Sequence, residues 1–196
     1  MEKINFIKTF IPQGDFREKY EHGGMMVRHL AAVLDEKMGA YECYECTVPI
    51  GEYDEGEIQK AFVEFSAKMD ALKLKQAKAD KISEITAYDT SSSVNGFMLN
   101  GLLVWLDKAT RVGLMNSTTI AKAAGQKTTT LWLGGLKLVV DCDKAIQLLS
   151  ALEMYALECF NVTASHKQAV SELTTIEEVE AYDYKACYPK MLSMSV

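Results

Sequence analysis

The chain has 196 residues, 48% of them hydrophobic, with a formal net charge of −6. That is length for one large domain or two small ones, and for a core that needs no disulfide staples. An acidic balance argues against a nucleic-acid surface, which needs a concentrated basic face, and no run approaches the ~20 apolar residues of a membrane helix.

The first residues lack the apolar region of a signal peptide, and the five cysteines are odd in number and scattered. Both features imply reduced thiols in a cytoplasmic chain. Residues 3–11 are rich in β-branched and aromatic side chains and predict a strand that stops at Pro12. Residues 15–24 are polar, end in Gly23-Gly24 and read as a loop. Residues 25–34 fit a helix face or a strand. Because a turn-like stretch at 35–39 and strand-like residues 40–50 follow, a hairpin is the more economical reading.

Residues 54–88 carry the strongest helical signal. Asp54, Glu55 and Glu57 crowd the start and lysines the later half, in the sense the helix dipole favours. Ile58, Phe62, Phe65, Met69, Leu72, Gln76 and Ala79 alternate at steps of four and three, a heptad seam. Such a seam either packs on its own domain or self-associates, so Ile58, Phe62, Phe65, Met69 and Leu72 are candidate interaction or oligomerisation residues. Lys68, Lys73, Lys75, Lys78 and Lys81 read as a solvated face.

Residues 89–93 break the helix. Asn100-Gly101 lies between the apolar runs 94–99 and 102–106, and Gly134-Gly135 between 129–133 and 136–140. Both pairs predict tight hairpins, whose turns need positive φ at the two central residues. Between the hairpins Asp107 is placed to cap a short helix carrying Arg111, and residues 114–125 read as helical or irregular. Asp141 or Asp143 caps a long helix running to about residue 173. Ala145, Leu148, Leu149, Leu152, Tyr155, Ala156, Cys159 and Phe160 mark its apolar face. Thr174 with Glu177, or Thr175 with Glu178, forms a capping box for a short helix over 176–182. The segment after Pro189 is read as loose, or docked through Met191 and Leu192. The fold class is therefore α+β. A small N-terminal antiparallel β module occupies 1–53, a linking helix 54–88, and a C-terminal module of two hairpins packed with a long helix 89–196.

The chemistry-bearing candidates are thin. Cys43 and Cys46, three apart on a strand, point to opposite faces, and no second pair or nearby His completes a tetrahedral site. Gly125-Gln126-Lys127-Thr128 lacks the adjacent Gly-Lys and upstream glycine of a phosphate loop. His166, near Glu158, Ser165 and Glu172, has no nucleophile and orienting acid that sequence can place beside it, and reads as structural. Trp105 and Trp132 sit on the two hairpins, where aromatics are expected in the core. Asp107 and Arg111, four apart, are expected to pair on one helix face. Trp105, Asp107, Arg111 and Trp132 together are the candidate structural or binding cluster. No catalytic residue, metal site or cofactor is expected.

In the C-terminal half the run Tyr88-Asp89-Thr90-Ser91, Val94-Asn95-Gly96-Phe97, Asn100-Gly101, Trp105-Leu106-Asp107 and Arg111 resembles a family of uncharacterised phage and prophage proteins of gut Bacteroides-type bacteria. Thr130-Leu131-Trp132, Leu152-Glu153-Met154-Tyr155-Ala156, Cys159 to Thr163, His166 and Tyr188-Pro189 extend the likeness over about residues 80–190. The resemblance is to a domain of unknown function whose relatives include the C-terminal domains of tail-fibre assembly proteins. It implies a non-enzymatic structural or assembly protein of the tail or its fibres, either a virion component or an assembly factor. The implied partners are tail or fibre proteins, with self-association open, and neither membrane nor nucleic acid. The implied location is the host cytoplasm during assembly and, for a virion component, the tail. The alternatives are an enzymatic or small-ligand-binding domain with a site near Trp105, Arg111 and Trp132, and a prophage-encoded regulatory binder.

Overall fold

The computed structural model describes residues 4–11, 17–19, 24–35 and 40–196. The strand stop expected at Pro12, and all but Asp35 of the turn expected at 35–39, lie outside the described residues. The chain divides into two compact units, Met1–Lys73 and Leu74–Val196, and the protein is α+β in both.

The N-terminal unit holds a four-stranded antiparallel sheet in the order β1-β4-β3-β2. Its strands are β1 (Ile7–Ile11), β2 (Arg17–Lys19), β3 (Gly24–Asp35) and β4 (Ala40–Pro49). The hairpin reading of residues 25–50 holds, with Gly24 opposite Pro49 and Asp35 opposite Ala40. The loop reading of 15–24 fails at β2, which pairs Arg17 with Val27 and Lys19 with Met25. A three-residue Arg-Glu-Lys strand at a sheet edge has no apolar face to signal it, since charge is how edges are kept from further pairing.

Helix α1 (Glu55–Asp89) begins at a reciprocal cap. The Glu57 amide donates to Asp54 Oδ1 at 2.8 Å and the Asp54 amide to Glu57 Oε2 at 2.9 Å. Ile58, Ala61, Phe62, Phe65 and Met69 then pack on Phe6, Val27, Tyr44, Cys46 and Val48. Phe65 meets Tyr44 edge-on at 5.0 Å and Phe6 at 5.5 Å, inside the favourable range for aromatic pairs. The seam does not continue to Leu72, Gln76 and Ala79, all of which are exposed. Within the C-terminal unit the helix packs through the partly buried Leu74, Ala77 and Ile82 and the buried Ile85.

This part of the helix contacts Val170, Leu173, Val179, Tyr182 and Tyr184. Two lysines of the expected solvated face have a structural task. Lys78 Nζ donates to the Ser171 carbonyl at 2.8 Å and Lys81 Nζ to the Glu180 carbonyl at 3.3 Å. These carbonyls end α4 (Cys142–Glu172) and α5 (Ile176–Ala181), where helices leave acceptors unpaired and carry negative dipole charge.

A single helical turn, α2 (Ser92–Asn95), occupies the start of the strand predicted at 94–99. Ser91 caps it, and a Cβ added at Gly96 would be driven into the Ser92 carbonyl oxygen, which is why the following strand must open on glycine. β5 (Gly96–Leu99) and β6 (Leu102–Trp105) form the first hairpin. Asn100 and Gly101 take φ of 50° and 83°, the turn that this dipeptide predicts. Helix α3 (Lys108–Ala123) is one continuous helix through Gly113 and the stretch read as helical or irregular. β7 (Thr128–Leu133) and β8 (Leu136–Asp141) form the second hairpin, turning on Gly134 and Gly135.

Asp141 caps α4, and Thr175 with Glu178 makes the capping box of α5. Leu148, Leu149, Leu152, Tyr155 and Cys159 of α4 meet Phe97, Leu99, Val104, Leu131, Leu133 and Val140 of the hairpins. The Tyr155 hydroxyl donates to the Val94 carbonyl at 2.7 Å. The segment after Pro189 is docked: β9 (Ser193–Met194) runs parallel beside β5, giving the order β6-β5-β9. Leu192 and Met194 pack on the core, while Met191 is 42% exposed.

Three expected core residues are on the surface: Trp105 is 40%, Trp132 60% and Phe160 60% exposed. In β6 and β7 the alternate residues Val104, Leu131 and Leu133 take the inner face, and a period of two leaves the tryptophans outside. Phe160 follows Cys159, and it is the cysteine that points inward.

Leu149→Ala is expected to cost about 2–5 kcal/mol, as for a filled core position. Trp132→Ala, which loses only an exposed ring and a Lys137 cation 5.8 Å from its centroid, is expected to cost about 0.5–1 kcal/mol. Urea unfolding of both variants measures the contrast, and a larger loss for Trp132→Ala would contradict the exposure. Burial also pushes the Tyr155 phenol from its ordinary 10.0 up to about 12. Its folded-state contribution is therefore complete below pH 10 and is lost as pH rises toward 12, because the unfolded chain releases the proton first. Melting temperatures followed from pH 9 to 12 are expected to fall less steeply in Tyr155→Phe than in the unchanged protein.

Candidate functional site

A cavity of about 420 Å³ opens in the C-terminal unit where three segments meet. The end of α1 and the turn after it supply Asp89, Thr90 and Asn95. The β6–α3 corner supplies Trp105, Leu106, Asp107, Lys108 and Arg111. Helix α4 supplies Glu153, Ala156, Leu157 and Phe160. The α4 residues fall at i, i+3, i+4 and i+7, one helical face, next to the row that enters the core.

Asp107, two residues past the end of β6, caps α3. Its Oδ1 accepts the Thr110 amide at 2.8 Å and its Oδ2 the Thr110 hydroxyl at 2.6 Å. These bonds, the hydroxyl's first, hold the carboxyl below its ordinary range. Asp107 is turned to the cap of its own helix and does not pair with Arg111, so the expected i,i+4 bridge is absent. Arg111 instead spans the corner: Nε donates to Glu153 Oε1 at 2.9 Å and Nη1 to the Leu106 carbonyl at 2.7 Å. The residue is only 7% exposed, so this cation is paired as burial demands.

On the far side of the cavity Asp89 belongs to a second network. Thr163 gives its only hydroxyl proton to Asp89 Oδ1 at 2.8 Å, so the Tyr188 hydroxyl, also 2.8 Å from Thr163 Oγ1, must donate to it. Asn95 Nδ2 closes the turn on the Asp89 carbonyl at 2.7 Å.

The candidate cluster is thus divided. Trp105, Asp107 and Arg111 line one cavity, while Trp132 lies outside it on β7. Glu153, Asp89, Leu157 and Phe160 were missed by sequence reasoning. The spacing of Glu153, Leu157 and Phe160 on one face of a helix whose neighbouring face is apolar was the available signal. Of the candidate interaction residues, Ile58, Phe62, Phe65 and Met69 are committed to the N-terminal unit's core, and Leu72 is 50% exposed.

The remaining chemistry-bearing candidates take structural positions. Cys46 faces the aromatic core, where burial pushes its thiol up, and Cys43 is buried on the opposite side of β4. His166 Nε2 lies 3.0 Å from the Ala186 carbonyl and must carry the proton there; Nδ1 then accepts the Tyr182 hydroxyl at 2.8 Å. Among the described residues, no three His, Cys, Asp or Glu side chains converge as metal ligands do.

Residues 76–186 match a protein family described as a domain of unknown function (DUF4376), and the protein, more than half of which is covered, belongs to that family. The matched span lies within the C-terminal unit and contains the whole cavity. No curated protein and no solved structure matches the chain.

Arg111→Ala is expected to destabilise the protein by about 1.5–3 kcal/mol, the range for hydrogen bonds to a charged group with buried partners. Glu153→Gln, whose side chain is 35% exposed, is expected to cost about 1 kcal/mol or less. Denaturant unfolding of the two variants measures the difference, and equal costs would assign the clamp to the ion pair rather than to the Leu106 carbonyl.

Proposed function

We propose that this protein is a non-enzymatic structural or assembly protein of a phage tail or tail fibre, working by contact with other tail proteins. The phage and tail part of the reading rests on the sequence resemblance over about residues 80–190. Contact as its mode of action rests on one observation, the outer edge of β6.

β6 ends its sheet in the order β6-β5-β9, so one side of its backbone has no strand partner among the described residues. Its sequence is Leu-Leu-Val-Trp, without a charge, and Leu102, Leu103 and Trp105 are 56%, 58% and 40% exposed. Proteins that must stay unpaired blunt such edges with charge or proline. An uncharged, apolar edge suits an added strand from another chain, held by main-chain bonds and selected by side-chain pockets.

Affinity-tagged protein expressed during infection is expected to retain a tail or fibre protein. Leu103→Lys is expected to lose that partner while its unfolding free energy changes by about 0.5 kcal/mol or less. Stoichiometric recovery in purified virions would assign a virion component; abundance in infected cells without recovery in particles would assign an assembly factor. Failure to retain any tail or fibre protein would overturn the reading.

A further inference from the structure

The cavity beside that edge carries a separate inference, independent of the tail reading. We propose that it is a small-molecule site for an uncharged ligand with a ring-sized apolar body and one hydrogen-bond acceptor, received by Arg111.

Its volume, about 420 Å³, falls among small-ligand sites of roughly 300–1,000 Å³, which are mostly apolar with a few fixed polar groups. Trp105, Leu157 and Phe160 form the walls and remain 40%, 50% and 60% exposed, so the apolar surface is open to an incoming group. The fixed polar group is Arg111, held by Glu153 and the Leu106 carbonyl and more than nine-tenths buried. Those two bonds use Nε and Nη1. Nη2, a donor of two protons, has no protein acceptor among the described residues. Arg111 is one of the residues that line the cavity, and in the proposed site a ligand's acceptor meets this remaining donor.

Electrostatics selects the kind of acceptor. Asp89, Asp107 and Glu153 line the cavity against Lys108 and Arg111, an excess of one negative charge. One of the two Nη2 protons shares the guanidinium edge with Nε, and an acceptor bound to it sits beside the Glu153 carboxylate. A ligand carboxylate or phosphate would meet that carboxylate at close range, whereas a neutral carbonyl would not. The chemistry is that of an aromatic or branched-alkyl amide rather than an organic acid.

Trp132→Phe leaves Trp105 as the single tryptophan of a chain that has two, so its fluorescence reports the cavity alone. Titration with phenylacetamide is expected to give a saturable change with a Kd on the order of millimolar, as for a ligand of about ten heavy atoms. Phenylacetate, nearly the same in shape, is expected to bind at least about tenfold more weakly. Arg111→Gln would also break the Leu106–Glu153 clamp, so the exposed wall residue is the better variant: Phe160→Ala is expected to lose about tenfold or more in affinity. No saturable change, equal binding of phenylacetate, or binding unaffected by Phe160→Ala would each overturn the proposal.

Discussion

Burial along one face of α4 is the constraint to which the rest of the C-terminal unit answers. Leu148, Leu149, Leu152, Tyr155 and Cys159 present a continuous apolar row, and two hairpins too short to be stable alone become stable by covering it. Tyr155 adds direction to that burial. Its hydroxyl reaches the Val94 carbonyl at the end of α2 and fixes where β5 must start. The same helix then uses the neighbouring face for different work, since Glu153, Leu157 and Phe160 are turned out of the core and into the cavity wall. One helix thus sets both the packing and the site, separated by about a quarter turn.

The polar part of that site follows from competition for hydrogen bonds. Asp107 could serve Arg111 or the amides of its own helix, and the cap wins because Thr110 offers it two donors within 2.8 Å. Arg111 is thereby released to reach across to α4, and its pairing with Glu153 joins segments that are 42 residues apart. A guanidinium carries five donors, and these two bonds leave some of them unspent.

Local signals carried much of this architecture into the sequence. Asn100-Gly101 and Gly134-Gly135 marked both hairpins, and Asp107, Asp141 or Asp143, and Thr174 or Thr175 marked helix starts, because turns and caps depend on a few adjacent residues; the structure selects Asp141 and Thr175 from the two pairs. What failed was whatever depended on distant partners. Leu-Leu-Val-Trp is apolar throughout, so nothing local says which pair faces inward. Trp105 and Trp132 were assigned to the core as aromatics on hairpin strands. The seam of α1 was extended in phase past Met69, although the later partners of the helix, Val170 and Val179, lie about a hundred residues downstream. Of the cavity, Trp105, Asp107 and Arg111 were legible, yet their grouping was not, since Trp132 was joined to them and Glu153, Phe160 and Asp89 were left out.

The last strand of the unit has a consequence for how the chain is made. β9 completes its sheet through the Leu192 and Met194 carbonyls, which accept the Met98 and Asn100 amides at 2.8 and 2.9 Å. Met98 faces Ser193, so a ribosome adding about 5–20 residues per second needs on the order of 5–20 s to supply the partner. In the last part of that interval, once α4 is complete and before Ser193 arrives, the inner strand of the future sheet is itself an edge, with two amides and the slot for Leu192 and Met194 uncovered. Vectorial synthesis therefore exposes both sides of one hairpin at once, and the growing chain passes through a form stickier than the one it becomes.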